Sequence, residues 1–225
     1  MEILPATPAG IRHALKILQS GGVVAHATET CYGLACDLKN PEAVQKLFAI
    51  KQRPLDQPVS ALFASVDDAK KYVEWNEEAD VLAKKHLPGP LTLILKGRQI
   101  SDYELRNTGN SEIRNPKSVI SVGVRISSHP LANQLVTALG SPISTTSANL
   151  HGQPNPYSAQ DIQRQFEGRE FQPDLILDSG RLPENLPSTI IDLTDAGKTR
   201  RLGSISSLHA PNSAICRKLH RELPG

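Results

Sequence analysis

Three cysteines, Cys31, Cys36 and Cys216, cannot all pair, which rules out a disulfide framework. They read as reduced thiols of a cytoplasmic protein. No second Cys or His pair has metal-ligand spacing, which argues against a zinc site. Aromatic residues are scarce. Four Phe, four Tyr and one Trp leave few platforms on which bases could stack. No apolar run approaches the roughly 18 residues of a membrane span. The N-terminus MEILPATPAGIRHALK lacks a basic segment followed by an apolar one, so no secretion signal is expected. A net charge of +2 is too small to argue for nucleic acid by itself. The basic stretches KSVISVGVR, KTRR and CRKLHREL and the acidic EWNEEAD read first as solvated faces.

Several catalytic signatures are also missing. There is no G-x-x-x-x-G-K-[ST] phosphate loop; the GKT at 197–199 is a decoy, since Asp192 stands where the first glycine belongs. No G-x-G-x-x-G follows a strand, and neither H-E-x-x-H nor G-x-S-x-G occurs. The seven histidines are scattered. Nothing resembles a nucleophile with its base. An enzyme built from this chain would work by holding reactants together.

What is present is an irregular alternation of helices and strands. Thr7-Pro8 and Asn40-Pro41 are cap-plus-proline starts, and Gly21-Gly22 is a stop. Ser65 with Asp68 suggests a capping box. VVAHAT, VSALFA, LTLIL, VISVGVRI, SPISTTSAN, DLILD, STIIDL and TRRLG read as strands, TETCYGLA as a turn-rich connection. LANQLVTALG, SAQDIQRQF and the C-terminal stretch, about 211–223, read as helices. Residues 97–118 have little apolar content and no period, as in a long loop. The expected fold is α/β of the mixed, α+β-like kind: one twisted mixed sheet flanked by helices. A single domain is expected over 1–225, with its core at about 10–205.

Three polar clusters sit at the ends of these elements, where a rigid scaffold can present side chains. Lys51 and Arg53 close a helix just before Pro54 and Pro58. Cations there complement the helix dipole by about 0.3–1 kcal/mol, or they clamp a phosphate. STTSAN, 144–149, offers five hydrogen-bonding side chains with no obvious helix to cap. Arg125 lies in an apolar strand, costly unless it is paired or at the rim of a cleft. It is a candidate partner for a carboxylate, or a surface residue on an edge strand.

In order along the chain, TETCYGLACD, AIKQRPLDQP, LPGPLTLIL, VGVR…HP, TSAN…GQP, STIIDL and RRLG resemble the YrdC-type threonylcarbamoyl-AMP synthase family, in a short form without the extra C-terminal domain of longer relatives. The resemblance implies a sheet curved around a positively charged cleft. It implies a nucleotidyltransferase that makes L-threonylcarbamoyl-AMP and pyrophosphate from L-threonine, bicarbonate or CO2, and ATP with Mg2+. The product would serve threonylcarbamoyl modification of the adenosine beside the tRNA anticodon, through partner proteins that transfer the group. Carried over by motif, Lys51 and Arg53 are catalytic and hold the triphosphate, and no residue is assigned to a metal. Gln57, Ser121, Ser147, Asn149, Asn155 and Arg201 join them around ATP. Thr30, Arg125, Thr145 and Ser188 line the threonine pocket, with Arg125 on the carboxylate. The competing readings are a module of this fold that binds tRNA or double-stranded RNA without synthase activity, and a relative that forms carbamoyl-adenylate. No membrane association is expected.

Overall fold

Capping side chains set where the helices begin. The computed structural model describes residues 1–52, 59–98 and 121–195, and the backbone of Arg200–Arg201. Helices α1 (Pro8–Gln19), α2 (Pro41–Lys51) and α5 (Pro130–Leu139) each open on proline, whose missing N–H costs nothing there. Thr7 Oγ1 accepts from Gly10 N at 3.3 Å, and Asn40 Oδ1 from Glu42 N and Ala43 N at 3.0 and 3.2 Å. Ser65, Asn76 and Ser158 cap α3 (Val66–Lys70), α4 (Glu77–His86) and α6 (Ala159–Phe166) in the same way. Each such cap contributes about 1 kcal/mol. Gly21, at φ 84°, takes the left-handed turn that ends α1, and Gly22 N closes it onto Ile17 O.

The strands are β1 (Glu2–Pro5), β2 (Val24–Ala27), β3 (Tyr32–Ala35), β4 (Ser60–Leu62), β5 (Leu91–Lys96), β6 (Ser121–Arg125), β7 (Ile143–Ser147), β8 (Leu175–Asp178), β9 (Thr189–Asp192) and β10 (Arg200–Arg201). Among the described residues they form one mixed sheet in the order β1-β8-β2-β3-β7-β4-β6-β5-β9-β10. The pairings β1/β8, β8/β2, β4/β6 and β5/β9 are parallel, and the others are antiparallel.

The register sorts the residues of the central strands onto two faces, because paired residues share a face and neighbours along a strand alternate. One face carries Leu34, Ala61, Val122, Val124, Leu91, Leu93, Leu95 and Ile191, all buried in the core. The other carries Gly33, Ser147, Thr145, Ser60, Arg125, Gly123, Ser121 and Thr92. Here Ser147, Ser60, Gly123 and Ser121 are exposed or half-exposed. The second face also carries the buried Leu62 and Ile143, and the first carries Ser144 and Thr146, but small and polar residues concentrate on the second and leave it open at Ser147, Ser60, Gly123 and Ser121. A Cβ on Gly123 would stand 2.6 Å from Ser60 Oγ and 3.1 Å from its Cβ, so a side chain there would force Ser60 to rotate and crowd the two strands.

Two expectations change, and one alternative is decided. TETCYGLA is not all connection: its second half is β3, paired with β2 and β7, because Tyr32 and Leu34 are apolar enough to be buried in the sheet. EWNEEAD is more than a charged surface; it runs into α4, which Asn76 caps and three acidic first-turn residues favour. The sheet also takes in β1 at one edge. Arg125 is not on an edge, since β6 lies between β4 and β5. Gly97 and Arg98 are held where the long 97–118 stretch begins, Arg98 donating to Tyr72 O and Val73 O at 2.9 Å. The remainder of that stretch, and the expected helix at 211–223, lie outside the described residues.

Candidate active site

Two polar clusters border the open face of the sheet. The first joins elements that looked separate in the sequence. Lys51, the last residue of α2, is 3% exposed, and its ammonium donates to Ser147 O at 2.5 Å, Asn149 O at 2.8 Å and Asn149 Oδ1 at 2.9 Å. Three N–H donors thus meet three acceptors. Ser147 Oγ donates to Asn149 Oδ1 at 2.6 Å, and Asn149 Nδ2 to Gln153 O. His151 N closes the loop onto Lys51 O at 3.0 Å. The Lys51 end of α2 and the STTSAN segment are therefore one hydrogen-bonded unit, with Lys51 as its tether. Beyond Lys51 the chain turns through Gln52, in the left-handed conformation at φ 49°.

STTSAN does not present all its hydroxyls to one place. Strand alternation turns Ser144 to the core side, fully buried, where its hydroxyl donates to Leu34 O at 3.0 Å and accepts from Cys36 N at 2.9 Å. Thr145 and Ser147 alternate onto the open face.

The second cluster lies at the far end of β6. Arg125, 8% exposed, donates from Nη2 to Glu29 Oε1 at 2.6 Å and to Thr30 Oγ1 at 2.9 Å. Ser127 Oγ donates to Glu29 Oε2, and His129 N to Ser127 Oγ at 3.1 Å. Glu29 belongs to the tight turn from β2 to β3, three strands from β6 in the sheet order. The contacts of Glu29 and Thr30 with Arg125 reach across the intervening strands β7 and β4. Its backbone is pinned: Thr28 Oγ1 accepts from Thr30 N and Cys31 N at 3.2 and 3.3 Å and donates to Cys31 O at 2.7 Å. Asn185 Nδ2 holds Glu29 O at 2.9 Å.

Burial alone would raise the Glu29 pKa. The charge and hydrogen bond of Arg125, with the Ser127 hydroxyl, outweigh it and hold the carboxyl below its ordinary value. The pair is nearly enclosed, with side chains 9% and 14% exposed. Removing one partner from such a pair costs about 3–5 kcal/mol. Arg125 Nε is buried with no partner among the described residues, so Glu29 and Thr30 do not saturate the guanidinium. His26 is fully buried behind this corner, and its pKa is lowered to about 4 by burial, with a smaller push from His129 and Arg125. It is neutral at physiological pH.

Of the residues expected at the site, Lys51, Ser147 and Asn149 form the first cluster and Thr30 and Arg125 the second. Thr145 is buried on β7, opposite Ser60. Ser188 shares a 3.0 Å hydroxyl contact with Thr92, the β5 residue opposite Arg125. Ser121 is exposed at the start of β6 beside Lys96, and Asn155 is half-buried in the loop after β7. For Arg201 only the backbone on β10 is described. Arg53 and Gln57 lie outside the described residues. Glu29 and Ser127 were missed. A signal for Glu29 existed: it is the only Asp, Glu, Lys or Arg between Lys16 and Asp37.

A family model described as "Telomere recombination", that of Sua5, YciO and YrdC, matches residues 16–203. The chain belongs to the Sua5/YciO/YrdC family. A threonylcarbamoyl-AMP synthase of Pyrococcus abyssi is 35% identical over 186 residues, 82% of this chain and 51% of that protein. A synthase of the same name from Vibrio campbellii is 33% identical over 79% of this chain and 91% of its own. The chain thus spans about half the length of the archaeal relative and nearly all of the bacterial one. Among solved structures, P. abyssi Sua5 complexed with L-threonine superposes with a TM-score of 0.75 at 32% identity, over 89% of this chain and 55% of that one. The mixed sheet with flanking helices is the family's fold.

Proposed function

We propose that this family member is an L-threonylcarbamoyladenylate synthase, taking L-threonine, bicarbonate or CO2, and ATP to L-threonylcarbamoyl-AMP and pyrophosphate. One observation carries the reading: the Lys51–Asn149 loop and the Arg125–Thr30 corner border the same sheet face, and Cys31 lies within electrostatic reach of both Lys51 and Arg125. The Sua5 relative with bound threonine supports the amino-acid half.

In this reading Ser147 and Asn149, set by Lys51, face the nucleotide, and Arg53, Gln57, Ser121, Asn155 and Arg201 complete its surroundings. Lys51 and Arg53 make the cleft positive beside the phosphates. Arg125 takes the threonine carboxylate, with Thr30, Thr145 and Ser188 around it. The threonine ammonium first releases a proton to solvent; the free amine then attacks the carbon of CO2, and the second proton lost from nitrogen also goes to solvent, leaving the carbamate. The carbamate oxygen then attacks the α-phosphate, and pyrophosphate leaves. No side chain becomes covalent; positioning and charge neutralisation carry the step. Magnesium would accompany the triphosphate, as it does in ATP-using enzymes. The product would go to partner proteins that modify tRNA. No helix among the described residues is long and apolar enough to cross a membrane.

The test is pyrophosphate release with each of ATP, L-threonine and bicarbonate omitted in turn. Release that needs all three is expected. Release without threonine, or none at all from folded protein, overturns the proposal.

A further inference from the structure

The Arg125–Glu29 pair raises a question about any carboxylate that comes to Arg125, because a carboxylate is already there. Two outcomes are possible: the incoming group displaces Glu29, or Glu29 stays. Displacement would break an almost enclosed ion pair and swing a charged side chain out from a turn whose backbone is pinned by Thr28 and Asn185. Ser127 would lose its acceptor as well. Nor is displacement needed. Among the described residues Arg125 spends only Nη2 on Glu29 and Thr30, so the N–H groups of Nη1 are left to hold a second carboxylate while the first stays.

If Glu29 stays, the corner presents a fixed negative group directly beside a fixed positive one. Each Glu29 oxygen takes one hydrogen bond, from Arg125 on one side and Ser127 on the other, and each can accept another. The pair is neutral as a unit, and so is the zwitterion of a free α-amino acid. We propose that Glu29 receives the α-ammonium group of the amino-acid substrate while Arg125 receives its carboxylate, so that the two side chains together select a zwitterion. This rests on the amino-acid pocket proposed above and assigns a role to a residue that reading does not use. Glu29 holds the nitrogen that is to be carbamoylated and so fixes its position; it is a binding and specificity residue.

Calorimetry on the full chain tests this with three probes: L-threonine; 3-hydroxybutanoate, which keeps the carboxylate and hydroxyl but lacks the ammonium; and threoninol, which keeps the ammonium but lacks the carboxylate. The wild-type protein is expected to bind threonine about tenfold to hundredfold tighter than 3-hydroxybutanoate, the range of one charge-assisted hydrogen bond. Glu29→Gln is expected to bring that ratio close to one and to leave the preference over threoninol standing. A displaced Glu29 predicts the opposite pattern: both carboxylates gain equally and the ratio does not move. An unchanged ratio in Glu29→Gln, or equal wild-type affinity for threonine and 3-hydroxybutanoate, overturns the assignment while the threonine pocket stands. No threonine binding to folded wild-type protein sinks both. If Glu29→Gln does not fold, Glu29→Asp withdraws the same charge by one methylene and must also lower the ratio.

Discussion

Replacing Lys51 by methionine separates two roles that its position allows. As a phosphate ligand alone, Lys51 would matter only when nucleotide is bound. As a tether it matters in the empty protein, because its ammonium serves Ser147 O, Asn149 O and Asn149 Oδ1. Methionine keeps most of the apolar stem and removes the donors. A buried acceptor left unsatisfied costs about 1–3 kcal/mol. Asn149 Oδ1 keeps the Ser147 hydroxyl, so two backbone carbonyls dominate the loss. Losing the desolvation penalty of the ammonium offsets part of it. The net expectation is about 3 kcal/mol of destabilisation, or roughly 6–12 °C in melting temperature for a chain of this size. The assay is reversible thermal unfolding followed by circular dichroism, without ligands, on wild type and Lys51→Met. A fall of under about 2 °C, at most about 1 kcal/mol, would refute the tether. If ATP raised the melting point of the wild type alone while the empty proteins melted together, the clamp-only reading would stand.

Three further outcomes are expected. Arg125→Ala should raise the threonine concentration needed for half-maximal pyrophosphate release more than the ATP concentration; equal effects would move Arg125 out of the amino-acid pocket. His26 should make the fold acid-sensitive. Its pKa is about 4 folded against 6.5 unfolded, so between those values only the unfolded state takes up the proton and stability falls as pH drops. The loss reaches roughly 3 kcal/mol at the acid end, and His26→Leu should flatten that part of the melting-temperature profile; an equal slope in both proteins refutes it. Gly123→Ala should lower the melting temperature by an amount equivalent to about 1–3 kcal/mol, because the new methyl meets Ser60 Oγ at 2.6 Å and its Cβ at 3.1 Å. Ser60→Gly should restore part of that loss in the double variant, and strict additivity would show that the two do not touch.

Local signals in the sequence determined the starts of the helices at Thr7, Asn40, Ser65 and Ser158, because a cap is a contact within one turn. Alternation and apolar runs located most strands, and the ordered motifs located the family. Lys51 stood out as a cation at a helix end, Asn149 within a polar run with no helix to cap, and Arg125 because a charge in an apolar strand is costly without a partner. The tertiary structure alone decided which partners those were. That Lys51 reaches Asn149, 98 residues on, and that Arg125 meets Glu29, 96 residues back, follows from strand order, which is not written in any short window. β3 was hidden because its four residues are too short a run to show a period beside a turn. Ser144 and Ser147 look equivalent in sequence, yet one supports the core and the other the open face. Only the register says which, since a shift of one residue exchanges the faces.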